Sequence, residues 1–190
     1  SLIVNSIPHV SKEPPLPLLH LRRSPRKQKL DQYHLNPDRL YGYLRVDTLS
    51  NTNSPKFKVN QNLTKFKKLL KIFEGFDLGY DEMDTIFSIV AAILVTGEVR
   101  FQETETRGAV VENVDAIEKI GLLLKIDPRK FEWALTNYCF VGRGTAVRKG
   151  STVDEARDAR DVFANNLYAR LVDYLVGLVN SKLKAGVAIL

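Results

Sequence analysis

The sequence predicts a mainly α-helical fold with short β-hairpin elements, and three observations lead to that prediction. Apolar residues recur at three- and four-residue spacing in five segments beyond residue 59, which is the pattern of amphipathic helices. Glycine and proline separate those segments, and only a few short stretches between them are typical of strands. The 190 residues are 44% apolar and 26% charged, as in a globular domain, and no run approaches the roughly 20 apolar residues of a membrane-spanning helix.

Two helices open the regular part of the chain. The first is predicted from Asn60 to Phe73, where lysines surround an apolar face and Gly75 follows as a stop signal. The second, over 81–94, begins with acidic residues, which the positive end of the helix dipole favours. Because its body is apolar nearly all round, we expect this second helix to be buried centrally in its domain.

The middle of the chain mixes short helices with extended segments. Residues 98–102 alternate as a strand does, and 102–108 are predicted to form a polar loop. A helix over 114–125 follows, and Asp127-Pro128 opens the next one, because Asp caps free N–H groups and Pro suits the first helical position. The apolar contacts of that fourth helix are assigned to Phe131, Trp133, Ala134 and Leu135.

A glycine-containing turn predicts a β-hairpin in the next segment. Residues 138–141 and 145–148 have strand-like composition, and they bracket the turn residues Gly142, Arg143 and Gly144. The single cysteine, Cys139, excludes an intramolecular disulfide and is predicted to be a packed strand residue.

The last helix is predicted to be the longest. Thr152 and Glu155 form a capping box, in which hydroxyl and carboxylate satisfy free N–H groups reciprocally. Apolar residues then hold helical phase to 183, we expect the helix to end at 184–186, and 187–190 are predicted to start a strand.

The first third of the chain differs in composition. Residues 1–58 are predicted to form a Pro-rich, basic, irregular arm, in which 41–44 is a short extended piece and 47–55 a polar loop. Residues 1–71 hold 14 Lys or Arg and 4 Asp or Glu, a net charge of +10. The rest of the chain holds 14 and 18, a net of −4, so the total of +6 comes from the first third.

Composition and spacing alone reveal no active site. The chain has no G-x-x-x-x-G-K-[ST] phosphate loop, and the Gly142-x-Gly144 pattern lies in a hairpin instead of between a strand and a helix. The three histidines, His9, His20 and His34, lie in the irregular third without metal-ligand spacing. We therefore predict no catalytic residue, metal or cofactor site in this chain.

Several strings nevertheless resemble those of a known family. Residues 158–176, D-A-R-D-V-F-A-N-N-L-Y-A-R-L-V-D-Y-L-V, are similar to the myosin string A-R-D-x-L-A-K-x-L-Y-x-R-L-F-x-W-L-V. Residues 86–94 are similar to the myosin string I-F-x-I-L-A-A-I-L, and 111–124 with Asp127-Pro128 resemble the helix pair that follows it. Because these matches keep one order over 60–183, the chain resembles part of the myosin motor domain.

The resemblance implies a place within that motor. Residues 59–190 would be its helical upper actin-binding subdomain, a fragment of a P-loop NTPase superfamily fold, ending just before the switch II strand. The phosphate loop and both switches lie outside these residues, so ATP and Mg²⁺ are implied for the complete motor only. The complete motor would be an actin-activated ATPase, whereas we expect this chain by itself not to hydrolyse ATP.

The resemblance also implies two actin-facing loops. The hairpin at 140–150 corresponds to the cardiomyopathy loop of the family, and 102–110 corresponds to its loop 4. The candidate actin-binding residues are Arg143, Arg148 and Lys149 in the first, and Glu103, Glu105 and Arg107 in the second. Positive charges without an acid suit the acidic surface of actin, although a solvated basic hairpin is the alternative. The mixed charges at 102–110 leave both interpretations open.

The expected partners are an actin filament and the remainder of the motor domain, with light chains or calmodulin on the parent chain. The expected location is the cytoplasm and its cytoskeleton, and the long helix would transmit strain between nucleotide and actin sites. The alternative function is a non-catalytic helical adaptor whose basic N-terminal arm binds nucleic acid or an anionic membrane. Nucleic acid is the less favoured partner, because no aromatic residue interleaves the charges of that arm.

Overall fold

Five α-helices and two antiparallel hairpins make up the described part of this computed structural model. It covers residues 31–36, 39, 41–44, 55–105, 108–142 and 144–187, without the side chains of 55–63 and 185–187. The elements are α1 (Pro55–Gly75), α2 (Tyr80–Thr96), β1 (Phe101–Thr104), β2 (Gly108–Val111), α3 (Val114–Leu124), α4 (Pro128–Thr136), β3 (Asn137–Gly142), β4 (Thr145–Gly150) and α5 (Val153–Val187). The predicted fold class, mainly α with short hairpins, is confirmed. The chain forms two compact units that divide between Phe87 and Ser88.

The first unit is held by an aromatic cluster and a shared carboxylate. The ring centroid of Phe87 lies 6.0 Å from that of Phe66 and 6.3 Å from that of Tyr33. The Tyr33 hydroxyl and the Gln32 side-chain amide both donate to Asp84 Oδ1 at 2.7 Å. Burial, together with the hydrogen bond to Asp84, raises the pKa of Tyr33. These contacts attach the segment around residue 33 to α1 and the start of α2.

Two predictions for the first unit are wrong in detail. The first helix begins at Pro55 instead of Asn60, because proline is compatible with the first turn of a helix. Residues 42–44 form a 3₁₀ turn instead of an extended piece, and the Leu44 N–H donates to the carbonyl of Tyr41 at 3.0 Å. The division into a 1–58 arm and a 59–190 domain stays a prediction, because most of the arm lies outside the described residues.

The core of the second unit is formed where α5 packs along β1, β2 and α4. Val99, Ile117 and Ile120 are at most 1% exposed, and no residue of α2 from Ser88 to Thr96 is exposed, as predicted. The Arg160 guanidinium donates to the carbonyl of Val99 at 2.9 Å, which ties α5 to the segment after α2. This core supports both hairpins.

The hairpin β1–β2 corrects the predicted polar loop at 102–108. The amides of Glu98 and Val99 donate to the carbonyls of Val95 and Thr96, so turns continue past α2 and β1 begins only at Phe101. The second strand, Gly108–Val111, pairs with β1 in the register that joins Phe101 to Val111. The strand was not predictable from the sequence, because a segment of four residues shows too little alternation to be recognised.

The long helix is confirmed, and its predicted end is wrong. The Thr152 amide donates to Glu155 Oε2 at 2.8 Å and the Glu155 amide donates to Thr152 Oγ1 at 3.2 Å, which is the predicted capping box. The helix continues through Gly186 to Val187, so Val187 does not start a strand; 188–190 lie outside the described residues. Within the described part of the chain, no helix is both long and apolar enough to cross a membrane.

Candidate functional site

The hairpin β3–β4 is exposed on both of its faces. Every described residue from Asn137 to Gly150 is partly or fully accessible, and Val141 at the end of β3 is 78% exposed. Side chains of a strand alternate between faces, so the register divides the hairpin into two sets. One face carries Tyr138, Phe140, Val147 and Lys149, and the other carries Cys139, Val141, Ala146 and Arg148. Cys139 is exposed, so its predicted packing is wrong.

The two described cations of this hairpin each lie against an aromatic ring. The Arg148 guanidinium carbon is 5.6 Å from the ring centroid of Trp133, and Lys149 Nζ is 5.7 Å from that of Tyr138. Interactions with the Tyr138 hydroxyl, and more weakly with Glu155, raise the pKa of Lys149. Lys149 therefore carries positive charge at neutral pH. The third predicted cation, Arg143, lies outside the described residues.

One residue joins the base of this hairpin to its neighbours. The Ser151 amide donates to the carbonyl of Thr136 at 2.9 Å, and the Ser151 carbonyl accepts from the Ala109 amide at 2.8 Å. Gly108 has φ +76°, and a Cβ there would lie 2.6 Å from the Ser151 oxygen. The close approach of the two hairpins therefore requires glycine at this position.

The hairpin β1–β2 places the other predicted residues. Glu103 lies on β1 opposite Ala109, Glu105 follows at the turn, and both glutamates are exposed. Thr104 Oγ1 donates to the Gly108 carbonyl at 3.0 Å, which is a hydrogen bond across that turn. Arg107 lies outside the described residues, so the structure describes the two glutamates of this segment and not its arginine.

A groove of about 480 Å³ lies against α4, between β2 and the base of β3–β4. It is lined by Ala109, Val110, Arg129, Glu132, Trp133, Thr136, Asn137 and Gly150. The structure thus brings β2, α4 and the base of β3–β4 together around one concave surface. Among the described residues, no cluster of three or more His, Cys, Asp or Glu could hold a metal ion.

The exposure of Trp133 was not predicted from the sequence. Trp133 was assigned to the apolar contacts of its helix, yet it is 42% exposed, and Ala134 is exposed as well. The buried residues Phe131 and Leu135 are four apart and share one face of α4, which leaves Trp133 on the opposite side. That helical phase is the signal that could have identified it.

Comparisons with known proteins agree with the resemblance. The model of the myosin head (motor domain) family matches residues 19–188. The chain is 36% identical over 158 residues to the Drosophila melanogaster protein "Neither inactivation nor afterpotential protein C", covering 82% of this chain and 10% of that protein. It is 31% identical over 166 residues to human Myosin-IIIa, covering 83% of this chain and 10% of that protein.

A third relative matches a shorter part of the chain. The Dictyostelium discoideum Myosin-I heavy chain is 38% identical over 107 residues, covering 54% of this chain and 4% of that protein. The chain thus spans a tenth or less of the length of these three relatives. The family match and the relatives together show that the chain belongs to the myosin head (motor domain) family.

Proposed function

We propose that this chain is the upper actin-binding subdomain of a myosin motor and that β3–β4 makes its main actin contact. The observation that carries this proposal is the exposure of Arg148 and Lys149 on a hairpin without a single Asp or Glu from 137 to 150. Actin filaments present an acidic surface, so such charges would accelerate the encounter with the filament and favour one docking orientation.

Exposed apolar residues near the hairpin turn support the same proposal. Phe140, Val141 and Val147 are 46%, 78% and 40% exposed, which is unusual for neighbouring large apolar side chains. Their removal from water on contact would add affinity that the cations alone do not supply. Among its described residues, the hairpin therefore combines cations near its base with apolar residues near its turn, which suits a protein-binding surface.

We propose a smaller role for β1–β2. Glu103 and Glu105 are acidic, so they repel an acidic filament unless they meet its basic side chains. Arg107, which lies outside the described residues, would provide the only positive charge of this turn. The turn would therefore restrict the docking orientation more than it would increase affinity.

The position of the long helix α5 supports a proposed role in strain transmission. The helix begins three residues after β4 ends, and its 35 residues span about 50 Å. Arg160, one-fifth along the helix, is bonded to the Val99 carbonyl, so a force on the hairpin would reach both the helix and the core. We propose that this helix couples the actin contact to the nucleotide site of the complete motor.

Nucleotide chemistry is proposed for the complete motor, which would bind ATP and Mg²⁺ as a P-loop NTPase. The sequence of this chain contains no phosphate loop, so we expect no ATP turnover by this chain alone. Actin-activated ATP hydrolysis by these 190 residues would contradict that expectation. The cytoplasmic cytoskeleton as location, and light chains or calmodulin as partners of the parent chain, are parts of the same proposal.

Actin co-sedimentation of the full chain tests the proposal. The variant Arg148→Glu with Lys149→Glu should weaken binding about tenfold or more, because two attractive charges become repulsive. The matched control is Lys65→Glu with Lys68→Glu, which reverses two exposed lysines of α1 and should change binding little. Equal losses in both variants would mean that only net charge matters and would contradict a specific hairpin contact.

A truncation separates this proposal from the adaptor hypothesis. Removal of residues 1–30 deletes most of the basic arm and leaves Tyr33 on Asp84. Actin binding should survive this truncation. Binding to phosphatidylserine vesicles or DNA that is lost with the same residues, without any actin binding, would support the adaptor instead.

A further inference from the structure

The Arg148 side chain is held by a ring that belongs to a different element. Arg148 is on β4, whereas Trp133 is on α4, and the guanidinium carbon lies 5.6 Å from the ring centroid. Trp133 also lines the groove beside Asn137 and Gly150, which are the paired residues at the base of the hairpin. The indole therefore lies at the junction of α4 with the hairpin.

The cations on the two faces of the hairpin contact aromatic rings of different elements. Lys149 lies over Tyr138, which is its own cross-strand partner, so this contact moves with the hairpin. Arg148 lies over a ring on the supporting helix, so this contact connects the hairpin to its support. Only the second contact can define the angle at which the hairpin projects.

We propose that Trp133 is a positioning residue for the hairpin. Its ring holds the Arg148 guanidinium at the base of β4 and thereby defines the direction from which the hairpin meets actin; this inference rests on the proposed actin contact. A guanidinium that lies over a ring still has N–H donors at its edge, and these can bind a carboxylate bidentately. Because the ring restricts the Arg148 side chain before contact, binding to actin would remove less conformational entropy from it.

A spectroscopic experiment tests the contact without actin. Trp133 is the only tryptophan of the chain, so its fluorescence reports on this position alone. Arg148→Gln should reduce quenching by iodide and increase quenching by caesium, because the cation that attracts one ion and repels the other is gone. Lys65→Gln removes the same charge from α1 and should change neither. Unchanged quenching in Arg148→Gln would overturn the proposal.

Actin affinity then tests the positioning role. Trp133→Leu should weaken actin binding of the full chain about two- to fivefold, and Trp133→Tyr should restore most of it, because an aromatic face is regained. In an Arg148→Gln background, Trp133→Leu should have no further effect. Tyr168→Leu, which removes an aromatic ring that is 59% exposed on α5, is the matched control and should leave affinity unchanged.

The outcomes separate this inference from the proposed function. A chain that shows the quenching effect and does not bind actin overturns the proposed function but not the contact of Trp133 with Arg148. A chain whose actin binding depends on Arg148 and is identical in wild type, Trp133→Leu and Trp133→Tyr overturns the positioning role alone. The lack of a further effect of Trp133→Leu in the Arg148→Gln background is the result that a merely space-filling role of Trp133 does not produce.

Discussion

The two hairpins share a topology and differ in how they are anchored. In β1–β2, Phe101, Ala109 and Val111 are each less than 8% exposed, so one face of that hairpin belongs to the core. In β3–β4, no described residue of either strand is buried. The first hairpin therefore contributes to stability through its side chains, and the second is held mainly at its base.

An exposed hairpin therefore needs backbone and ring contacts where core packing is missing. The β3–β4 base has the Ser151 amide on the Thr136 carbonyl and the Arg148 guanidinium over Trp133. Its free end can then present apolar and cationic residues without any loss of core packing. Under the proposed function, the main recognition surface and the core packing would therefore belong to different hairpins.

The largest expected effect comes from making the same substitution, Phe to Ala, once in each hairpin. Phe101→Ala should reduce the free energy of unfolding by about 3–5 kcal/mol, because it leaves a cavity under β1. Phe140→Ala, on the exposed hairpin, should reduce it by less than about 0.5 kcal/mol. Denaturant unfolding followed by Trp133 fluorescence measures both, since the only tryptophan lies in the second unit. Comparable losses would contradict the division of roles.

A second pair of substitutions separates the energetic cost of a steric clash from the cost of a positive φ. Gly108 and Gly144 have φ of +76° and +79°, yet a Cβ at Gly108 would meet the Ser151 oxygen and a Cβ at Gly144 would meet nothing within 4 Å. Gly144→Ala should therefore cost about 1 kcal/mol through its backbone alone. Gly108→Ala should cost about 3 kcal/mol, because the Ser151 bridge must also move.

The same unfolding measurement checks this pair. The difference between the two alanine variants estimates the contribution of the bridge at Ser151. If Gly108→Ala and Gly144→Ala were equally destabilising, the close approach of the hairpins would have no energetic consequence. Hydrogen exchange at the Ala109 amide provides a local check, because this amide is the donor of the bridge.

Local signals explain what the sequence could predict. The capping box at Thr152 and Glu155 and the cap at Asp127, whose Oδ1 accepts from the Arg129 amide at 2.9 Å, depend on neighbours in the chain. The hairpin around 143 follows from glycines in its turn for the same reason. Such features form wherever their few residues occur together, so their positions are predictable.

Features that depend on distant partners could not be predicted. The strand at 108–111 exists because β1 pairs with it, and its sequence hardly alternates. The outward position of Trp133 depends on which side of α4 meets the core, and its contact with Arg148 depends on how the hairpin folds back. Four of the six predicted site residues lie within the described part of the chain. Arg148 and Lys149 lie in the predicted hairpin, whereas Glu103 lies on a strand instead of in the predicted loop. The roles of all six stay predictions.

A smaller effect is expected at the junction of β2 and α3. The Asn113 side-chain amide donates to the Glu98 carbonyl at 2.9 Å, and its oxygen accepts from the Arg100 amide at 2.8 Å. Asn113→Ala should reduce the free energy of unfolding by about 1–2 kcal/mol, because two backbone groups lose their partner. Thr145→Ala removes the bond from Thr145 Oγ1 to the Gly142 carbonyl in the exposed hairpin and should cost less than about 0.5 kcal/mol. A larger loss for Thr145→Ala would reverse the comparison.

The smallest expected effect is a pH dependence of the free energy of unfolding that arises at an ion pair on α3, outside the exposed hairpin. The Lys119 ammonium donates to Asp115 Oδ2 at 3.0 Å, and this hydrogen bond lowers the pKa of Asp115 below its ordinary 3.8. A carboxyl group whose pKa is lower in the folded state stabilises the fold above its ordinary pKa and loses that contribution as the pH falls through the lowered value. Because the pair is exposed, its contribution is a few tenths of a kcal/mol.

The measurement is the free energy of unfolding of wild type and Asp115→Asn near pH 6 and near pH 3. Wild type should be the more stable of the two near pH 6 by a few tenths of a kcal/mol, and most of that advantage should disappear near pH 3. Lys119→Gln should remove the same advantage, since it removes the hydrogen-bond donor. The hairpin β3–β4 has no carboxylate between 137 and 150, and Lys149 interacts only weakly with Glu155 of α5, so acid should change the local stability of this hairpin little, as hydrogen exchange of its strand amides would show. Acid-dependent exchange confined to β3–β4 would mean that the exposed hairpin is held by carboxylates of other elements, and the distinction between the two hairpins would then fail.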